Sequence, residues 1–433
     1  MTRTLLAGGR IIDPACGRDA PGDLLIEDDR IAAIGNVGTL GQADTVLDCA
    51  GLLVVPGLID LHVHLREAPF SANPGAFAET VASGAAAAVA GGFTTVCAMP
   101  NTTPPIDSAD AIAWYVRRGR EANLARVLPV GCMTRGRDGR TPADLPAMRD
   151  AGACAFSDDG ADVADDAVFE QVLSEAARIG MPVFCHCENA ALAAGGILHD
   201  SPLATAIGLP GLARDAEDLA VARACDTARR TGCRAHIQHV STEGAVEVIR
   251  RAKAEGAPVT AEATPHHLTL TVDALAGRDT VFKVNPPLRT GHDVEAVLAA
   301  VRDGTIDCLA TDHAPHTREA KARRLAEAAF GMIGLESALG VCATALIETP
   351  LMTWPDLIER TTAAPARVAG IDAGTLAVGA RADVTVIDPA ARWTIDPERF
   401  ASKARNCPFA GREVKGQVRR TLVGGRVVYE ATT

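Results

Sequence analysis

No stretch of this 433-residue chain stays apolar long enough to cross a bilayer. The window that comes nearest, residues 81–100, is broken by Gly91, Gly92, Thr94 and Thr95 and suits an Ala-rich helix running into a buried strand. The opening residues lack the long apolar segment and cleavage pattern of a secretory signal, so a cytoplasmic protein is expected. CxxC pairs are missing too, and the twelve scattered cysteines read as small, buried, reduced side chains. The net charge of −12 argues against a nucleic-acid partner, because phosphate binding needs clustered lysine and arginine. An anionic substrate would then need a local basic pocket. There is no lysine before Lys253, and no internal repeat beyond an alanine bias.

What is present is ample core material, with 48% hydrophobic and 22% charged residues. Short β-branched or apolar runs alternate with helical patterns through the middle of the chain, the signature of parallel βα units. Eight strands are predicted, at residues 57–64, 93–100, 126–133, 154–159, 182–188, 234–241, 258–266 and 307–313. The predicted helices between them are 79–90, 109–122, 165–179, 216–231, 243–255 and 293–303. Eight such units close a (β/α)8 barrel, an α/β fold of the TIM type, over residues 56–371. Strand-like pieces at 5–13, 23–35, 44–55, 382–388 and 417–429 lie outside it. Neither terminal segment, 1–55 or 372–433, has the apolar surface for its own core, so the two are expected to pair into one small β-sandwich.

His62-Val63-His64 closes the first predicted strand, and period-two alternation puts both imidazoles on one face at the barrel's C-terminal mouth. An isolated HxH is as often a pair of core histidines as a metal site. Here Asp159 ends the fourth strand, His186 and His239 lie in the fifth and sixth, and Asp312 ends the eighth. Nitrogen and oxygen donors at five strand ends of one barrel face suit zinc or a similar divalent ion. Cys185 and Cys187 flank His186, but alternation turns them to the opposite face.

Several blocks resemble the signature segments of dihydroorotases in the amidohydrolase superfamily. They are Pro56-Gly57-Leu58-Ile59-Asp60-Leu61-His62-Val63-His64-Leu65-Arg66-Glu67, Met99-Pro100-Asn101-Thr102, Val284-Asn285-Pro286-Pro287-Leu288-Arg289 and Ala310-Thr311-Asp312-His313-Ala314-Pro315-His316. The resemblance implies one metal held by His62, His64 and Asp312, a second held by His186 and His239, and a carboxylate bridging the two. Hydantoinases, allantoinases and many dihydroorotases bridge with a carboxylated lysine, for which this sequence has no residue in place. Ser157-Asp158-Asp159-Gly160 resembles the motif of long bacterial dihydroorotases in which aspartate takes over. Asp159 has the family's spacing to His186, which leaves Asp158 to shape the turn.

Metal binding lowers the pKa of water from about 16 to near 7, which an amide hydrolase needs at neutral pH. Asp312 would accept the proton and pass it to the departing ring nitrogen. The resemblance further implies Arg66, Asn101 and His316 around the substrate carboxylate, with Asn285 and the backbone near Phe330 and Gly331 on the ring. A salt bridge to Glu67 or a neighbour is the bland alternative for Arg66. His266 and His267 are expected to be satisfied core histidines, His313 to point away from the metals, and His199, His236 and His292 to be structural or at the surface.

The expected reaction is the zinc-dependent cyclisation of N-carbamoyl-L-aspartate to L-dihydroorotate, with one or two Zn2+ per subunit. The resemblance also implies a homo-oligomer, a dimer, and leaves open a complex with aspartate carbamoyltransferase. Two alternatives stand beside it: another cyclic amidase of the hydantoinase or allantoinase kind, and a catalytically dead partner of that transferase. The missing lysine speaks against the first and the retained histidines against the second. Two segments depart from the family pattern, the longer loop at 68–75 and Ala329 where proline commonly precedes Phe330.

Overall fold

A computed structural model describes residues 2–432. The chain begins with β1 (Arg3–Asp13), β2 (Arg18–Glu27), β3 (Arg30–Gly35), β4 (Thr45–Asp48) and β5 (Leu53–Pro56). The barrel follows, with β6 (Leu58–Val63), β7 (Phe93–Ala98), β8 (Arg126–Gly131), β9 (Ala155–Phe156) and β10 (Val183–Cys185). A two-stranded excursion, β11 (Leu198–His199) and β12 (Gly211–Leu212), precedes β13 (Ala235–Ile237), β14 (Val259–Ala263) and β15 (Cys308–Leu309). The eight barrel strands run parallel in sequence order. A parallel bridge between Val63 and His313, with His64 N donating to His313 O at 2.8 Å, joins the last strand to the first.

Side-chain alternation explains why this sheet is buried on both faces. Val183, Cys185, Ala235, Ile237, Val259, Ala261 and Ala263 point into the core shared with the surrounding helices. The residues between them, Phe184, His236 and Glu262, touch one another inside the barrel. Helices start where the sequence supplies caps. Thr80, Ser108, Asp165, Thr242 and Thr290 each accept a backbone N–H at the start of Val81–Ala90, Ala109–Ala122, Asp166–Arg178, Glu243–Ala254 and Gly291–Asp303.

The barrel strands are shorter than the apolar runs suggested. His64, Asp159, His186, His239 and Asp312 all lie one to three residues beyond a strand end. These side chains must converge on the barrel axis, and the backbone leaves the ladder to let them. His239 and Asp312 do so at φ +35° and +47°, a region uncommon for non-glycine residues.

The terminal segments form one mixed eight-stranded sheet, β18-β17-β16-β5-β1-β2-β3 with β4 beside β1, where β16 is Val384–Thr394, β17 Glu413–Val423 and β18 Arg426–Glu430. The pieces expected at 23–35, 44–55 and 417–429 are each two strands. Asp28-Asp29 turns the first and Gly424-Gly425 the third, with Asp28 and both glycines at positive φ. Leu6, Ile11, Leu24, Ile31, Val54 and Val384 pack together in this sheet's core. Gly57 carries the chain directly from β5 into β6, and a Cβ there would meet Thr94 Oγ1 at 2.1 Å, so only glycine fits. Between β16 and β17 the chain leaves the sheet and lays Ile395, Ala404, Cys407 and Phe409 against barrel residues Val284, Leu288, Met332 and Val341. No helix among the described residues is long and apolar enough to cross a membrane.

A buried ion pair fixes the backbone just after His239. Glu217, on helix Asp215–Thr231, accepts from Ser241 N and Thr242 N and pairs with Arg289 Nη2 at 3.0 Å. Arg289 also donates to Ser241 Oγ and reaches His199 Nδ1 at 3.2 Å. Burial and the adjacent arginine push His199 down to about 4, so it stays neutral. Arg289→Met strands the Glu217 charge and should lower unfolding free energy by about 3–5 kcal/mol in urea titrations. A loss below about 1 kcal/mol would mean that the pair contributes little to the native state.

Candidate metal centre

Four histidines and two aspartates from five strand ends meet at the C-terminal mouth of the barrel. His62 Nε2 lies 3.2 Å from Asp159 Oδ1 and 3.5 Å from Asp312 Oδ1, and His64 Nε2 lies 3.0 Å from Asp312 Oδ1 and 3.5 Å from Asp159 Oδ2. On the other side of Asp159, His186 Nδ1 and His239 Nε2 are 2.9 Å apart and 3.7 and 3.9 Å from its Oδ1. Two donor groups result, His62-His64-Asp159 and Asp159-His186-His239, with Asp159 common to both.

These separations fit metal coordination. Ligand atoms about 2.0–2.1 Å from a shared tetrahedral ion stand roughly 3.3–3.4 Å from one another. His62 Nε2 is buried with no hydrogen-bond partner although two carboxylates face it, as expected of a lone pair directed at an ion. Burial opposes the charge on Asp159, yet His62, His64 and His186 hold its pKa well below the usual carboxylate range. Burial, with His186 and His62 nearby, pushes His239 down to about 3 and keeps it neutral, whereas burial of His62 is outweighed by the facing carboxylates of Asp159 and Asp312, which push it up, so that a bound cation would have to displace its proton.

The protein fixes these ligands from behind. His62 Nδ1 meets Glu262 Oε1 at 2.7 Å, and the other oxygen of Glu262 meets His236 Nε2 at 3.0 Å. Burial opposes ionisation of Glu262, but hydrogen bonds from His236 and His62 bring it down to about 2. It is therefore a carboxylate that orients His62 and makes its free nitrogen more basic. Asp60 accepts from His62 N, Thr311 N and Thr311 Oγ1, tying the first ligand strand to the residue before Asp312. Sequence reading missed Glu262 and Asp60, and treated His236 as merely structural. The available signal was an acidic residue inside a strand buried on both faces.

Asp158 does not reach the cluster. Its Oδ1 accepts from Met133 N and Thr134 N, propping the turn that presents Asp159. Cys185 and Cys187 sit in the outer core. His313 Nε2 turns away to Glu79 at 3.4 Å, His267 binds Thr264 Oγ1 and Pro286 O, and His292 pairs with Glu243. His266 packs against the His267 ring at 4.4 Å.

Beside the cluster, Arg66 at φ +59° donates Nε to Pro315 O at 3.2 Å and pairs with no carboxylate among the described residues. Glu67 is engaged by Arg118 instead. Asn101 bridges the two halves of the centre, accepting from His64 Nδ1 at 2.8 Å and donating to Asp159 Oδ2 at 3.1 Å. Asn285 donates to Glu188 Oε2 at 2.7 Å while its Oδ1 is buried without a partner. His316 Nε2 donates to Phe330 O at 2.6 Å, and burial and Arg66 push its pKa down to about 3. Gly331 follows at φ +126°, where a Cβ would meet Ala314 Cβ at 2.7 Å.

The family described as dihydro-orotase-like matches residues 51–245. A dihydroorotase of Pelotomaculum thermopropionicum is 48% identical over 429 residues, covering 99% of each chain. A dihydroorotase of Anaeromyxobacter dehalogenans is 46% identical over 428 residues, 98% of this chain and 97% of that one. Among solved structures, an L-hydantoinase (dihydropyrimidinase) from Arthrobacter aurescens superposes with a TM-score of 0.85 at 27% identity, covering 99% of this chain and 96% of its own.

Glu262→Gln keeps every atom at the centre but weakens the acceptor behind His62. Metal retention should fall about 10–100-fold in chelator competition, with the fold intact. Equal retention by wild type and variant would show that Glu262 has no part in tuning the site.

Proposed function

Because the chain belongs to the dihydroorotase family, a metal-dependent family of cyclic amide hydrolases, we propose that it interconverts N-carbamoyl-L-aspartate and L-dihydroorotate in pyrimidine biosynthesis, in the cytoplasm and with zinc. The observation that carries this reading is an unpaired arginine, Arg66, beside a histidine centre built around an aspartate. His62, His64 and Asp312 would hold one ion, His186 and His239 a second, with Asp159 between them. Such an ion, when bound, polarises the amide carbonyl and acidifies water.

The chain's own groups do the rest. Burial opposes ionisation of Asp312, but His62 and His64 keep it a carboxylate at every ordinary pH. It lies at the mouth of the barrel, so it can take a proton from water and return it to the ring nitrogen as the C–N bond breaks. In the synthetic direction it takes the proton from the ureido nitrogen as the ring closes. Arg66 presents a planar fork to the substrate carboxylate, a bidentate match that an ammonium lacks. Asn285 Oδ1, buried and unpartnered, is the acceptor for the ring N–H. Phe330 and Gly331, held by His316, form the wall of this pocket.

Steady-state kinetics on dihydroorotate, with hydantoin as the neutral comparison, test this assignment. Metal-loaded wild type should favour dihydroorotate, and Arg66→Lys should lose roughly one to two powers of ten in kcat/KM with metal content intact. A preference for hydantoin, or equal kinetics of the two proteins, would overturn it. Asp312→Asn should lose at least about a hundredfold in turnover, and near-normal turnover in a folded, metal-loaded variant would exclude Asp312 as the proton carrier.

A further inference from the structure

Asn406 lies outside the barrel proper, on the segment between β16 and β17, yet it is buried against the substrate pocket. Both polar atoms of its side-chain amide are engaged. Oδ1 accepts from His316 N at 3.2 Å, while Nδ2 donates to Ala314 O at 3.0 Å and to Gly331 O at 3.2 Å. Its backbone carbonyl accepts from Ile333 N at 3.0 Å. One side chain thus clamps two barrel segments, 314–316 and 331–333, that are not strands; a single bridge at His313–Met332 joins them, and Gly331 is further held by Lys321 Nζ at 3.0 Å and by Lys283 O at 2.9 Å.

The residues clamped on either side, Ala314 and His316, flank Pro315. The Pro315 carbonyl is the one protein partner recorded for the Arg66 side chain among the described residues. Whatever sets the position of that carbonyl sets the direction of the guanidinium fork. A Gly331 shift would also move Phe330, whose carbonyl His316 Nε2 holds. We propose that Asn406 is a positioning residue for substrate recognition: through Pro315 it aims Arg66 at the substrate carboxylate, so the C-terminal segment is a working part of the pocket. This rests on the reading of Arg66 as the carboxylate partner.

Asn406→Asp is nearly isosteric and keeps the acceptor for His316 N, but it removes both donors and sets a carboxylate against two carbonyls. Asn406→Ala removes all three bonds. The experiment measures KM and kcat for dihydroorotate and the inhibition constant of 5,6-dihydrouracil, the same ring without the carboxylate, on metal-loaded proteins. Both variants should raise KM about tenfold, the scale of one charge-assisted hydrogen bond misaligned. They should leave kcat within about twofold of wild type and raise the dihydrouracil constant clearly less than KM, since both ligands meet the wall at Gly331 but only dihydroorotate meets Arg66. An unchanged KM in either folded variant would overturn the proposal. So would an equal rise for both ligands, which would mean that Asn406 only braces the fold. Wild type that does not turn over dihydroorotate at all would instead remove the functional reading, and this inference with it.

Discussion

A single carboxylate, Asp159, is buried among four imidazoles where the barrel strands end, and most of the surrounding structure serves that arrangement. A charge so deep is tolerable only with compensating partners on every side. The histidines supply them, and three of the four are constrained in turn: His62 by Glu262, His64 by Asn101, and the backbone after His239 by Glu217 and Arg289. The positive φ of Arg66, His239 and Asp312 belongs to the same demand. The chain must leave extended geometry to aim side chains inward, and packing around the barrel mouth holds it there.

The fold is shared with hydantoinases, since an L-hydantoinase superposes over nearly the whole chain at 27% identity. In this chain the fourth strand end carries Asp159, and the first lysine of the sequence is Lys253. A lysine must be carboxylated before it can bridge; an aspartate carries its carboxylate already. Asp158 fastens the turn that carries Asp159 by accepting from Met133 N and Thr134 N.

Much of this was legible in the sequence for definite reasons. Strand order and helix positions follow from the alternation of short apolar runs with helical patterns. The six residues at the centre follow from their recurrence at strand ends. Strand lengths were overestimated because apolar runs continue past the point where the backbone bends toward the centre. The terminal strands were read too long because single Asp or Gly turns inside them, at Asp28-Asp29 and Gly424-Gly425, were not recognised. Contacts between distant segments were beyond reach altogether. Nothing local marks Glu262 as the partner of His62, 200 residues away, or Asn406 as the clamp on Ala314.

The most direct test of the account is anomalous diffraction from crystals of the metal-loaded protein, recorded on both sides of the zinc edge. Density should appear within coordination distance of Asp159, at the positions bounded by His62, His64 and Asp312 and by His186 and His239. An ion bound without Asp159, or bridged by Asp158 or any lysine, would contradict the central claim that this aspartate organises the site.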